Sequence, residues 1–123
     1  MDEFGASPAP GSMNEGLADY FSSALAGDGD VGEYATQDFA PGSTAIRSLT
    51  SPDACPSAVG GEVHQDATLF SGSLWDVRVA LSEADALKFD AAIYAAMNAS
   101  PTGDLAYEDF AELAIAQVKG TLD

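Results

Sequence analysis

Apolar side chains recur through the second half of the chain at the three-and-four spacing of a buried helix face. Phe70, Leu74, Val77 and Leu81 make one such stripe, Phe89, Ile93 and Met97 a second, and Phe110, Leu113, Ala114 and Val118 a third. Ser82 with Asp85 three residues on predicts a capped start for the second of these helices. Residues 98–103, with their Ser-Pro and Thr-Gly pairs, predict a break before the last. Nearer the N-terminus, Ser12-Met13-Asn14-Glu15 has the S-x-x-E pattern of a capping box, in which serine and glutamate satisfy free N–H groups at a helix start. Leu17, Phe21, Ala24 and Leu25 then fall near one face, with Tyr20 beside them, and Gly27 ends the run. The expected helix is 13–26.

The intervening residues, 28–65, show no period and are rich in Gly, Pro, Ser and Asp. A single short helix near 44–49 is expected there, and no strand. An irregular stretch of about 40 residues is unusual in an independent domain, and points to a functional loop, a metal-stabilised loop or a surface that needs a partner. Residues 1–11, acidic and then rich in Pro, Ala, Gly and Ser, read as an irregular lead-in. The expected architecture is mainly α: about four helices in one domain over 12–123, with a long ordered loop between the first helix and the second.

Composition narrows the partners. With 46% hydrophobic residues the chain can build a core, so global disorder is not expected. Twenty acids against four bases give a formal charge of −16, and the cations Arg47, Arg78, Lys88 and Lys119 do not cluster. Nucleic acid and anionic membrane are therefore poor partners. No apolar run reaches the roughly 18 residues of a membrane span. The N-terminus has neither the basic nor the apolar region of a signal peptide, so a secreted parent would carry its signal upstream. The single cysteine, Cys55, cannot form an internal disulfide, which leaves a free buried thiol or half of an external bridge. As a nucleophile it would need His64, the only histidine, as its base.

Three short constellations carry candidate chemistry. Glu15 and Asp19, four apart in Asn14-Glu15-Gly16-Leu17-Ala18-Asp19, present two carboxylates on one helix face. The plainer reading is a capping glutamate and a solvated acid near the positive end of the helix dipole. Arg47 stands between apolar neighbours in Ala45-Ile46-Arg47-Ser48-Leu49, suited to clamp a carboxylate or carbonyl, although surface arginines are common. His64 follows Gly60-Gly61-Glu62-Val63 and could present its ring to a ligand or to solvent.

Together and in this order the three resemble the zinc peptidases of the gluzincin group, the thermolysin-like and fungalysin-like families. Asn14 to Asp19 resembles the N-E-x-x-x-D segment that supplies the third zinc ligand in those enzymes. Ile46-Arg47-Ser48-Leu49-Thr50-Ser51-Pro52 resembles L-R-S-M-S-x-P, and Glu62-Val63-His64 resembles the G-V-H that precedes a helix, here the one with Ser73-Leu74-Trp75-Asp76-Val77. The resemblance runs from about Ser12 to Val77. It implies that the chain is the C-terminal helical lobe of a metalloendopeptidase, with a secreted parent. Glu15 would ligate zinc and Asp19 would orient a ligating histidine. Arg47 would hold a substrate carbonyl and His64 would stabilise the tetrahedral oxyanion. Zinc in such a parent polarises the scissile carbonyl and activates water. Asp28-Gly29-Asp30-Val31-Gly32-Glu33 is similar to the calcium loop of thermolysin-like enzymes, which makes Asp28, Asp30 and Glu33 candidate calcium ligands, the alternative being a solvated acidic loop.

The departures decide what to expect of the chain by itself. It has no H-E-x-x-H and no second histidine, whereas a catalytic zinc normally takes three protein ligands and a water. The acid that orients the oxyanion histidine in the family has no evident match just before Gly60. The isolated chain is therefore expected to be inactive, and to require a missing N-terminal half or self-association. Two other classes compete. Residues 98–109 imitate an EF-hand loop, with Gly103 at position 6 and Asp109 at position 12, but lack acids at positions 1, 3 and 5. A non-catalytic acidic interaction domain is the third reading, and it would leave apolar surface exposed for a partner to cover.

Overall fold

The structure, a computed structural model, describes residues 8–122. Residues 1–7 of the expected irregular lead-in lie outside the described residues. The described part is mainly helical, as the periodicity predicts, with five helices and one short ribbon: α1 (Pro8–Ala26), β1 (Asp30–Val31), α2 (Glu33–Phe39), β2 (Arg47–Ser48), α3 (Val63–Ala80), α4 (Glu83–Ala99) and α5 (Tyr107–Leu122).

Helix α1 begins a full turn before the expected position. Proline is tolerated in a first helical turn, where the missing N–H would have no partner, so Pro8 and Pro10 open the helix rather than preceding it. Ser12 is consequently interior. Its hydroxyl is fully buried and donates back to Pro8 O at 2.8 Å, so the expected capping box does not form. The buried face is also rotated from the expected one. Met13, Leu17 and Tyr20 point into the core, whereas Leu25 is 90% exposed.

α1 packs closely along α3, and the two run in the same direction. Gly11 lies against Val63, Gly16 against Phe70 and Ala67, and Arg78 reaches Ala24 O. Gly16 is what permits the approach. A Cβ there would lie 2.7 Å from the Phe70 ring and 2.9 Å from Ala67 O. Parallel neighbours cannot be joined by a short turn, because the chain must return the length of α1, about 28 Å at 1.5 Å per residue. That return is the long region without a period. It is not wholly irregular. α2 lies within it, and β1 pairs antiparallel with β2, Asp30 opposite Ser48 and Val31 opposite Arg47. The short helix expected near 44–49 is thus extended ribbon instead, held by Ile46 N–H to Val31 O and Leu49 N–H to Gly29 O. Leu49 and Trp75 are buried where the ribbon meets α3.

α4 and α5 form an antiparallel hairpin that closes the core. Ser82 caps α4 as predicted, accepting the Asp85 N–H at 3.2 Å. At the α5 start, Asp109 reaches back to the Ala106 N–H at 3.0 Å, so the EF-hand-like loop is a capped helix–turn–helix. Phe89, Ile93 and Ala96 of α4 and Phe110 and Ala114 of α5 pack on Met13, Leu17 and Tyr20. Tyr20 donates its O–H to Asp90 at 2.6 Å, and Arg78 Nε donates to the same carboxylate at 3.0 Å. This network ties α1, α3 and α4 together through one partly buried acid. Among the described residues no helix is long and apolar enough to cross a membrane.

Candidate functional site

The parallel packing of α1 and α3 puts the N-terminal turn of α3 beside the first half of α1, and the ribbon brings β2 to the same place. Glu15, Asp19, Arg47 and His64, widely separated in sequence, therefore meet on one face. Asp19 lies one turn beyond Glu15 on α1 and is 4% exposed. Its two oxygens accept from Arg47, Nε at 2.6 Å and Nη2 at 2.7 Å. This is the bidentate fork of a charge-assisted pair, and Asp19 holds the guanidinium above its ordinary pKa. It also fixes β2 to α1.

His64 is the second residue of α3 and is largely exposed. Its Nδ1 lies 2.9 Å from Glu62 Oε1, and its Nε2 lies 3.7 Å from Glu15 Oε2. Glu62 is the α3 N-cap, accepting the N–H groups of His64 and Gln65. The hydrogen bond to Glu62, then the charge of Glu15, raise the His64 pKa above the usual imidazole value. The same hydrogen bond, with those from the backbone, lowers that of Glu62. When protonated, the ring carries N–H groups at both nitrogens. At 3.7 Å the Nε2 side makes no hydrogen bond to Glu15, so its donor stays open to another acceptor.

Glu62 is the residue that sequence reasoning missed. No acid stands just before Gly60, and the carboxylate that pairs with the His64 ring comes two residues ahead of it. An acid just ahead of a helix start is the signal that could have revealed it. Asp66, buried, sets the approach to the same turn by accepting the N–H groups of Gly60 and Gly61, both at 2.8 Å. Beside the four residues lies an open cavity of about 480 Å³, lined by Arg47, His64, Ser48, Ser51, Asp53 and Thr68 among others. It is of a size and polarity to admit part of a peptide.

The candidate calcium ligands do not assemble. Asp28 accepts the Asp30 N–H at 3.0 Å in a local turn, Asp30 starts β1 and Glu33 opens α2. Among the described residues no three His, Cys, Asp or Glu side chains come together so as to hold a metal ion. Glu15 and His64 alone do not make a catalytic zinc site, which takes three protein ligands. Cys55 is free and exposed, not buried as one reading of the sequence held. No family model, curated protein or solved structure matches the chain.

Proposed function

We propose that the chain is the C-terminal helical lobe of a gluzincin-type zinc endopeptidase, inactive by itself and completed by an H-E-x-x-H segment from elsewhere. The observation that carries this reading is the meeting of Glu15, Asp19, Arg47 and His64 on one face, in pairs suited to the roles that the resemblance implies.

Each residue has a chemistry of its own to contribute. The Glu15 carboxylate makes no hydrogen bond among the described residues and is offered as one metal ligand of the three required. Asp19 gives one hydrogen bond site per oxygen to Arg47 and keeps a second lone pair on each, enough to accept an imidazole N–H and set its tautomer. Arg47 spends Nε and Nη2 on Asp19 and retains further N–H donors for a substrate carbonyl in the adjoining cavity. His64, whose protonated form Glu62 and then Glu15 favour, offers Nε2–H to an oxyanion forming near Glu15. The buried Asn14 Nδ2, one residue from Glu15, has no hydrogen-bond partner among the described residues. Such an orphaned donor fits a surface that further chain completes.

Zinc binding tests the proposal. The pure chain, dialysed against micromolar zinc, should retain no stoichiometric metal. Mixed with a helical peptide carrying H-E-x-x-H, it should form a zinc-dependent complex that Glu15→Gln weakens at least tenfold. A complex indifferent to Glu15→Gln would overturn the assignment and leave the non-catalytic acidic interaction domain. Peptide hydrolysis by the pure chain, abolished by a chelator, would overturn the expectation that it is inactive alone.

A further inference from the structure

A second concavity lies away from these residues, between α3, α4 and α5. It is a groove of about 560 Å³, within the usual range of small-molecule sites. Phe70 and Leu74 line it from α3, Phe89 and Ile93 from α4, and Ala114 and Val118 from α5. One end is an aromatic wall, where the Phe70 ring stands 5.3 Å from that of Phe110 and 6.1 Å from that of Tyr107. The other end carries Lys119, the one charged residue of the lining. Tyr107 to Lys119 along α5 spans about 18 Å at 1.5 Å per residue.

The placement of Lys119 gains meaning from the other cations. Arg47 is paired with Asp19, Arg78 with Asp90 and Lys88 with Asp85. Of the four bases in a chain of charge −16, Lys119 alone makes no ion pair among the described residues. A lysine in a last turn also offsets the helix dipole, and that accounts for its charge. It does not account for an apolar groove that leads away from it.

We propose that this groove binds a long-chain monocarboxylate, with the tail laid along α5 toward Phe70 and Tyr107 and the carboxylate at Lys119. The asymmetry selects the ligand. A groove that is mostly apolar, Ser73 and Tyr107 aside, with one cation at one end matches an amphiphile with one anionic head. A single ammonium balances one negative charge, and in so acidic a protein a dianionic head has no second cation to meet. The long-range field opposes any anion, but it is screened within about 8 Å at physiological salt, so burial of the tail carries the affinity and Lys119 the orientation.

Titration of the 123-residue chain with oleate below its micellar concentration, followed by calorimetry, tests this. One site per chain is expected, with affinity falling about tenfold for each pair of methylenes removed from a saturated series. Lys119→Gln should weaken oleate about three- to fivefold and leave oleyl alcohol unchanged. Ala111→Trp, at an exposed position in the lining, should abolish binding of both while the circular dichroism stays that of the parent chain. Absence of saturable binding, equal binding by a folded Ala111→Trp chain, or equal loss of oleate and oleyl alcohol in Lys119→Gln would overturn the proposal. So would sedimentation showing a dimer that Ala111→Trp disrupts, since the groove would then serve a second copy. None of these outcomes depends on zinc or on Glu15.

Discussion

Arg47→Ala tests the joint on which the candidate site depends. In the folded chain the Asp19 side chain is 6% exposed and that of Arg47 is 22% exposed, so the acid is the deeper partner. Truncating Arg47 removes both donors and leaves a buried carboxylate uncompensated, a change that costs about 3–5 kcal/mol. Water can enter where the arginine head stood, which places the expected loss near 3 kcal/mol. For a chain of this size, between the size classes that lose 2–4 and 4–8 °C per kcal/mol, the unfolding midpoint should fall by about 10–15 °C. Asp19→Ala should cost less, because the guanidinium it strands is nearer water. The double variant should lose about 2 kcal/mol less than the sum of the two single losses. Arg47→Lys should behave more like the alanine variant than like the parent, since one ammonium cannot reproduce the two parallel hydrogen bonds. Urea unfolding followed by circular dichroism gives all four values. A loss under about 1 kcal/mol for Arg47→Ala, the range of an exposed pair, would refute the reasoning, as would strict additivity in the double variant.

Three further outcomes are expected. Gly16→Ala should destabilise by about 1–3 kcal/mol in the same assay despite its better helix propensity, because the new Cβ meets Phe70 and the Ala67 carbonyl inside 3 Å; a neutral or stabilising result would mean that α1 and α3 are less closely packed. Tyr20 should stay protonated in a spectrophotometric alkaline titration until the chain unfolds, since burial and then the hydrogen bond to Asp90 raise its pKa, and Tyr20→Phe should cost about 1–3 kcal/mol by stranding one acceptor of Asp90. The His64 ring should titrate above the usual imidazole value by NMR, and Glu62→Gln should bring its midpoint down. Because the folded pKa of His64 is raised, its pairing adds stability that is complete below the unfolded imidazole pKa and fades as pH rises through the folded one. For Glu62, with its folded pKa lowered, the contribution holds above the unfolded carboxylate pKa and fades as pH falls through the folded one.

Much of the helical architecture was legible in the sequence, because helix periodicity and caps are local. The stripes through Phe70, Phe89 and Phe110, the Ser82 cap and the break ahead of Tyr107 each follow from residues within one or two turns of each other. The same local logic failed at Ser12, where a cap signal was overridden by close packing of α1 on α3, and at Leu25, which lies on the expected face yet is 90% exposed. The two-residue strands were invisible because so short a ladder has no period, and its partners are joined only by the fold.

For the site, the sequence determined which side chains were available: one histidine, an arginine between apolar neighbours, and two carboxylates one helical turn apart. Only the tertiary structure decided that Arg47 would close on Asp19 and that Glu62 would hold His64 toward Glu15. It equally decided that Asp28, Asp30 and Glu33 would not converge as a set of three metal ligands. The physical reason is the parallel course of α1 and α3. It sends the chain back the length of α1 before α3 begins, and so sets residues distant in sequence side by side in a way that no local pattern records.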